Sequence, residues 1–144
     1  MLIKDHSFGI VPLRCNQGVW EVFLIQHQKG HWSMPKGHPE SNESPIETAK
    51  RELFEETHLT VKRLISDIPF VEQYQFLNKN SLIDKTVDYF VAEVTGQEVL
   101  QIKELKDGRW LTLEQSLEKV SFSEARGILE RTIQLINSNI SPKL

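Results

Sequence analysis

An α/β fold, with a mixed β-sheet and helices packed against it, is the fold class that the sequence predicts. Strand-like segments, some joined by tight turns, share the chain with two stretches of helical periodicity. A chain of 144 residues suits one domain whose core is large enough to fold without stabilising cross-links. We expect that domain to span residues 1–144. A single cysteine, Cys15, excludes an intrachain disulfide and favours a reducing compartment.

The first elements are two strands and a long loop. Residues 7–13 are apolar enough for a strand, in which Pro12 indicates an edge or a bend. Residues 20–26 form a stronger strand because they are rich in β-branched and aromatic side chains. The Gly18 segment between them predicts a hairpin turn. Glycines and prolines then interrupt residues 28–42, which predicts a loop.

A helix with a well-defined start follows this loop. Ser44 is the predicted N-cap, Pro45 takes the first helical position, and Glu47 completes a capping box. The helix is expected to run to residue 57, where His58 takes the left-handed conformation that ends it.

The second half predicts further strands and two helices. The strands are expected at residues 61–64, 68–77 and 86–94 and around 109–111, with a turn at 78–81. A short helix is expected at 113–120 and a final helix at 121–137, where Ser121 and Glu124 form the cap. Residues 138–144 are expected to be a frayed tail.

Charge and hydropathy narrow the class of protein. The net charge of −3 differs from the overall positive charge that is typical of nucleic-acid-binding proteins. A local cluster of positive groups can still bind a small polyanion. The charged N-terminus does not resemble a signal peptide, and no apolar run reaches the roughly 20 residues of a membrane span. We therefore expect a soluble cytoplasmic protein that has no membrane partner and carries no strong nucleic-acid signal.

Three carboxylates share one side of the first helix. At 100° per residue, Glu52, Glu55 and Glu56 fall within an arc of roughly 100°. The adjoining apolar stripe consists of Ile46, Ala49 and Leu53. One interpretation is a solvated acidic face, because exposed like charges repel by only a few tenths of a kcal/mol. The other is a converged cluster that needs cations, for which oxygen ligands select magnesium, calcium or manganese.

The wider pattern favours the second interpretation. Gly37, Glu43, the run Arg51-Glu52-Leu53-Phe54-Glu55-Glu56 and Leu59 keep the spacing of the Nudix box, and the chain resembles that family. The resemblance implies a Nudix fold, an α/β/α sandwich with a mixed β-sheet, and hydrolysis of a phosphoanhydride. Two positions depart from the usual pattern, since His58 and Asn42 stand where the family commonly has glycine.

The resemblance also implies roles for the box residues. Glu52, Glu55 and Glu56 are the expected Mg²⁺ ligands, with Mn²⁺ as an alternative ion. Arg51 is expected to pair with Glu43 and to hold the helix face in register. Water then attacks a phosphorus atom of the pyrophosphate linkage. The metal neutralises the charge of the phosphate oxygens and lowers the pKa of the water, and the site aligns the two reactants. Both Glu52 and Glu55 are candidates for the general base.

Three segments outside the helix narrow the range of expected substrates. The chain resembles the animal- and archaeal-type diadenosine tetraphosphate hydrolases of this family in three places. These are residues 31–38, residues 85–93, and Glu104, which stands five positions before Arg109. The similarity covers about residues 7–137. It implies Mg²⁺-dependent asymmetric hydrolysis of diadenosine tetraphosphate and related dinucleoside polyphosphates, with ATP and AMP as products.

Each segment supplies candidate site residues. Lys36, beside Gly37, and Lys85 are expected to contact phosphate, against the alternative of ordinary surface lysines. His31 and His38 are expected donors to phosphate, with a plain surface histidine equally compatible. Glu104 is a candidate extra metal ligand or base, or else a solvated glutamate.

Aromatic residues are the candidates for base binding. Strand alternation places Tyr89 and Phe90 on opposite faces, and Tyr89 is the expected stacking partner of a nucleobase. Phe122 is a candidate for the opposite stack, although core packing is the favoured interpretation for it.

Two other functions remain open. One is another Nudix hydrolase, acting on nucleoside triphosphates or on RNA 5′ ends. The other is a catalytically silent Nudix domain that senses nucleotides, which loss of a metal-binding glutamate would mark; the sequence retains all three.

Overall fold

The computed structural model describes residues 1–139 as one mixed eight-stranded sheet with helices on both faces. The strands are β1 (Leu2–Asn16), β2 (Val19–His27), β3 (Trp32–Ser33), β4 (Lys36–Gly37), β5 (Thr60–Leu64), β6 (Phe70–Asn78), β7 (Ser81–Thr95) and β8 (Leu105–Thr112). The helices are α1 (Pro45–Thr57), α2 (Leu113–Lys119) and α3 (Ser123–Asn139). The predicted α/β/α sandwich is confirmed.

Strand β1 lies at the centre of the sheet. The strand order is β3-β2-β1-β7-β5, with β4 added to β1, β6 to β7 and β8 to β2. β1 and β7 are parallel, from Leu2 opposite Leu82 to Leu13 opposite Glu93. Pro12, which was expected at an edge or a bend, therefore does not lie at a sheet edge. Pro12 is accommodated because it lies between Gly9, which pairs with β4, and Leu13, which pairs with β2.

Two apolar clusters hold the helices on opposite faces of the sheet. One cluster joins Tyr89 and Val91 of β7 to Ala125 and Ile128 of α3. The other joins Phe90 of β7 to the stripe on α1, in which Ala49 and Leu53 are fully buried and Ile46 is partly buried. Strand alternation at Tyr89 and Phe90 is as predicted, and it divides the core between the two faces.

The predicted boundaries of α1 are confirmed. Ser44 Oγ accepts from the Glu47 N–H, and the Glu47 side chain accepts from the Ser44 N–H, which completes the capping box. At the other end His58 has φ 64°, and its N–H donates to the Phe54 carbonyl. The left-handed residue at this end is a histidine, with the same role that glycine commonly has.

Some predicted boundaries differ from the structure. The expected loop at 28–42 contains the short strands β3 and β4. Helix α3 begins at Ser123, and the expected cap at Ser121 is wrong, because the Ser121 hydroxyl accepts from the Trp32 N–H instead. Ser138 belongs to α3, while the rest of the expected tail beyond Asn139 lies outside the described residues.

None of the helices in residues 1–139 has both the length and the apolar character needed to cross a membrane.

Candidate active site

Arg51 connects the loop before α1 to the carboxylates of that helix. Its Nε donates to Glu43 Oε2 over 2.6 Å and its Nη2 to Glu43 Oε1 over 3.1 Å. Nη1 donates to Glu52 at 3.0 Å and Glu55 at 2.9 Å, and Nη2 also donates to the carbonyl of His38 at 2.8 Å. Hydrogen bonds from Arg51 lower the pKa of Glu43 to about 2. The expected Arg51–Glu43 pair is present, so the guanidinium fixes the positions of three carboxylates.

Glu56 occupies the inner end of this acidic face. Its side chain is 6% exposed, and its Oε2 atom is buried without a hydrogen-bond partner among residues 1–139. Burial, followed by the charge of neighbouring Glu52, raises the pKa of Glu56 to about 9. The charge of Glu104 acts in the same direction, and Lys36 opposes it. The interpretation of a solvated acidic face therefore fails for Glu56.

Glu52 lies against the backbone of β4. A Cβ atom added to Gly37 would coincide with the carboxyl group of Glu52. The absence of a side chain at Gly37 thus lets the helix carboxylate approach the strand that carries Lys36. This contact explains in steric terms why the pattern needs glycine there.

The expected ligand set is only partly assembled. Within the described residues, no three His, Cys, Asp or Glu side chains stand together in ready-made metal-ligand geometry. Glu52 and Glu56 are neighbours, whereas Glu55 is 51% exposed and bound to Arg51, and Glu104 is exposed. The chemistry of the residues still fits a hard divalent cation, because it offers carboxylate oxygens, one of them buried and unpartnered.

A cavity of about 540 Å³ opens on the sheet face that carries α3. Its walls are His31, Ser33, Lys36, Glu72, Tyr74, Phe76, Tyr89, Phe122, Glu124 and Ala125. Lys36 links this cavity to the carboxylate helix, because its charge lowers the pKa of both Glu56 and Glu72. Burial, followed by the charge of Lys85, lowers the pKa of Lys36 itself. An anion bound at Lys36 would thus lie between the acidic helix and the cavity.

Four of the predicted substrate-binding residues line the cavity, namely His31, Lys36, Tyr89 and Phe122. Tyr89 is 1% exposed and belongs to the core cluster, so it presents little of its ring. The preference for Phe122 as a core residue is wrong, because Phe122 is 55% exposed and its ring lies 5.6 Å from that of His31. Because Phe122 lines the cavity and is also exposed, it lies at the cavity mouth.

Two other predicted substrate contacts lie elsewhere. Lys85 is buried, and its Nζ donates to Ser7 Oγ at 2.6 Å and to Asp5 Oδ2 at 3.1 Å. His38 Nε2 lies 2.6 Å from Asp5 Oδ1. Burial alone would raise the pKa of Asp5, but the hydrogen bonds with Lys85 and His38 leave it below its usual value. Neither side chain forms part of the cavity wall, and their roles toward phosphate remain predictions.

Sequence reasoning missed the contribution of β6. Glu72, Tyr74 and Phe76 line the cavity, and the buried Oε2 atom of Glu72 has no hydrogen-bond partner within the part of the chain that the structure describes. The signal was present in the alternation of the strand, since Phe70, Glu72, Tyr74 and Phe76 share one face. A carboxylate on an otherwise aromatic face is uncommon enough to mark a site.

Comparison with known proteins agrees with this geometry. A family model described as the NUDIX domain matches residues 4–131. The asymmetrical bis(5′-nucleosyl)-tetraphosphatase of Mus musculus is 32% identical over 133 residues, which cover 90% of this chain and 88% of the mouse protein.

Solved structures show the same fold. A binary complex of the Caenorhabditis elegans Ap4A hydrolase superposes with a TM-score of 0.73 at 22% identity, covering 93% of this chain and 98% of that one. The mutator MutT protein from Bacillus halodurans gives a TM-score of 0.72 at 24% identity, with 89% and 81% covered.

Proposed function

Because the chain belongs to the Nudix family and is a hydrolase of that family, we propose that it splits dinucleoside polyphosphates asymmetrically. Diadenosine tetraphosphate is the proposed main substrate, with ATP and AMP as products. The observation that carries this proposal is the position of Lys36, which lines the aromatic cavity and acts electrostatically on Glu56 of α1. The mouse relative is named for the same activity.

The acidic side chains are proposed to hold divalent metal, Mg²⁺ first and Mn²⁺ as the alternative. Glu52, Glu55, Glu56 and Glu104 are the proposed ligands. The bound ion supplies charge neutralisation and makes water a better nucleophile. Arg51, held by Glu43, keeps Glu52 and Glu55 on the same side of the helix. Glu52 or Glu55 accepts the proton of the attacking water.

The phosphate chain and one base are proposed to follow the cavity. Lys36 contacts phosphate beside the Gly37 backbone, and His31 lies close enough to the cavity to donate to it. Burial, followed by the charge of Lys36, lowers the pKa of His31. Phe122 and Tyr89 provide aromatic surface for the base. Lys85 and His38 contact the more distant phosphates only if Asp5 releases them.

A substrate panel tests the proposal. Purified protein with Mg²⁺ is offered diadenosine tetraphosphate, nucleoside triphosphates and 5′-triphosphorylated RNA, and the products are separated by chromatography. We expect ATP and AMP from the dinucleotide at the highest kcat/KM, and loss of activity with chelator. Water labelled with ¹⁸O identifies the attacked phosphorus.

The panel also separates the alternatives. Faster turnover of triphosphates or RNA ends would replace the proposed substrate and keep the reaction class. Binding of nucleotides without turnover at any metal concentration would support the sensing domain. Full activity in chelator, or in Glu56→Gln, would contradict the metal assignment.

A further inference from the structure

Glu72 is a buried acid in a strand whose other residues are exposed or only partly buried. Of the nine residues of β6, Glu72 alone is buried, with 7% of its surface exposed. It shares its face of the strand with Tyr74 and Phe76, and all three line the cavity. No metal role accounts for it, because α1 and Glu104 supply the proposed ligands. The Glu72 carboxyl group therefore needs another explanation.

The carboxyl group lacks the partner that such burial requires. Glu72 Oε2 is buried without any hydrogen-bond donor in the described part of the chain. A buried acceptor left unpaired costs about 1–3 kcal/mol, and more when charged. Burial raises the pKa of Glu72 to about 7, and the charge of Lys36 acts against that rise. A donor on a ligand would remove the cost of the unpaired oxygen.

Charged groups surround Glu72 from three elements without satisfying it. Lys36 of β4 and Lys85 of β7 lower its pKa, as does Arg131 of α3, while Glu124 of α3 raises it. Lys85 is bound to Asp5 and Ser7. Arg131 donates to the Val71 carbonyl at 3.0 Å. These cations offset part of the rise in the pKa of Glu72, and its Oε2 atom still has no hydrogen-bond donor in the described part of the chain.

We propose that Glu72 recognises the edge of a nucleobase by accepting a hydrogen bond from its exocyclic amino group. The aromatic side chains Tyr74, Phe76 and Phe122 hold the faces of the base, which they cannot distinguish by hydrogen bonding. Glu72 then contributes the one polar contact that depends on the identity of the base. The inference rests on the proposed function only in taking the ligand to be a nucleotide.

The expected discrimination follows from the cost of an unpaired carboxyl group. A site built to accept an N–H donor rejects an analogue that lacks it, because the buried acceptor loses its partner. A hydrogen bond to a charged group contributes about 1.5–3 kcal/mol, which corresponds to roughly 10- to 150-fold in affinity. We expect adenine to be favoured over unsubstituted purine by at least about tenfold.

A matched pair of ligands tests this directly. Adenosine 5′-diphosphate and purine riboside 5′-diphosphate differ only in the amino group, and calorimetry without metal measures both affinities independently of turnover. Wild type should bind the adenine ligand at least about tenfold more tightly. Glu72→Met, which keeps the length and removes both oxygens, should bind the two ligands within about twofold of each other.

Two further variants serve as controls. Glu118→Gln removes a negative charge from the exposed surface of α2, outside the cavity wall, and it should retain the wild-type ratio of affinities. Glu72→Gln keeps one oxygen acceptor, and it should recover part of the ratio that Glu72→Met loses. Thermal unfolding of each variant verifies that the fold is retained.

Several outcomes would overturn the proposal. These are equal binding of both ligands by wild type, an unchanged ratio in Glu72→Met, an equal loss for both ligands, or no nucleotide binding at all. An equal loss would mean that Glu72 acts through Lys36 on phosphate. Amino-dependent binding without hydrolysis of any dinucleotide would support the role of Glu72 and contradict the proposed function alone.

Discussion

The carboxyl group of Glu52 lies where the Cβ atom of any larger residue at position 37 would stand. Strand β4 and helix α1 therefore meet at a point where one partner has no side chain. Two adjacent residues of β4 have different roles here. The cationic side chain of Lys36 lines the cavity, and Gly37, which has no side chain, faces the acidic helix. This contact sets the spacing between the proposed phosphate contact and the proposed metal ligands.

Gly37→Ala is the first test of that spacing. The new methyl group forces Glu52 away from β4, and a displacement of about 1 Å near reacting groups can cost 100-fold in rate. We expect kcat to fall on the order of 100-fold while circular dichroism shows a retained fold. Steady-state kinetics with diadenosine tetraphosphate measures the change.

Gly127→Ala is the matched control for this glycine. Gly127 lies within α3, and an added Cβ would meet nothing within 4 Å. The substitution should leave kcat unchanged and stabilise the fold by about 0.5–1 kcal/mol, since glycine is unfavourable inside a helix. Equal rates for the two alanine variants would refute the steric role of Gly37.

Glu56→Gln separates the metal role from the fold. The amide keeps the shape of a buried side chain that has no hydrogen-bond partner at Oε2, so unfolding should be little changed. We expect kcat to fall by orders of magnitude. We also expect Mg²⁺ to raise the Tm of the wild type and to leave the Tm of the variant unchanged. A variant that retains the Mg²⁺-dependent rise in Tm would remove Glu56 from the ligand set.

Helix α1 could be predicted from the sequence because its determinants are local. Ser44, Pro45 and Glu47 specify the start within four residues, and His58 takes up the left-handed conformation at the end. The pair of Glu43 and Arg51 also lies within a single loop and helix, and the resemblance to the Nudix box predicted it. The α/β class followed from the same local patterns.

The cavity could not be predicted in this way, because its walls come from distant parts of the chain. Phe122 precedes α3, which starts two residues later than expected, and the neighbouring Ser121 accepts a hydrogen bond from the distant Trp32 N–H. Lys85 donates a hydrogen bond to Asp5 and does not line the cavity. Asp5 is 80 positions away in the sequence and lies on β1, the parallel neighbour of β7. Such partners depend on strand register, which single-strand patterns do not determine.

Acid unfolding tests the Glu43–Arg51 pair. The folded-state pKa of Glu43 is about 2, against an ordinary 4.5, so the pair stabilises the protein above pH 4.5. That contribution is lost as the pH falls from 4.5 toward 2. Glu43→Gln should therefore lower Tm at pH 7, and its Tm should depend less on pH across this window. Parallel Tm profiles for the two proteins would contradict the assignment.

Phe122→Ala tests whether the cavity mouth holds a base. Phe122 is 55% exposed, so its truncation should change the stability by no more than about 0.5 kcal/mol. Stacking of a base on an aromatic ring contributes about 1–3 kcal/mol, and we expect KM for diadenosine tetraphosphate to rise about 5- to 150-fold with kcat retained. Ile68→Ala, an exposed truncation outside the cavity wall, is the control.

Tyr89 needs a milder substitution than Phe122 does. Tyr89 is 1% exposed within the core, so Tyr89→Ala should destabilise the fold by about 3–5 kcal/mol. That loss of stability would obscure any effect of the substitution on KM. Tyr89→Phe keeps the ring, and we expect its KM to stay near the wild-type value if the ring face is what the base contacts. A rise in KM for Tyr89→Phe with none for Phe122→Ala would assign recognition to the Tyr89 hydroxyl and would place the base deeper in the cavity.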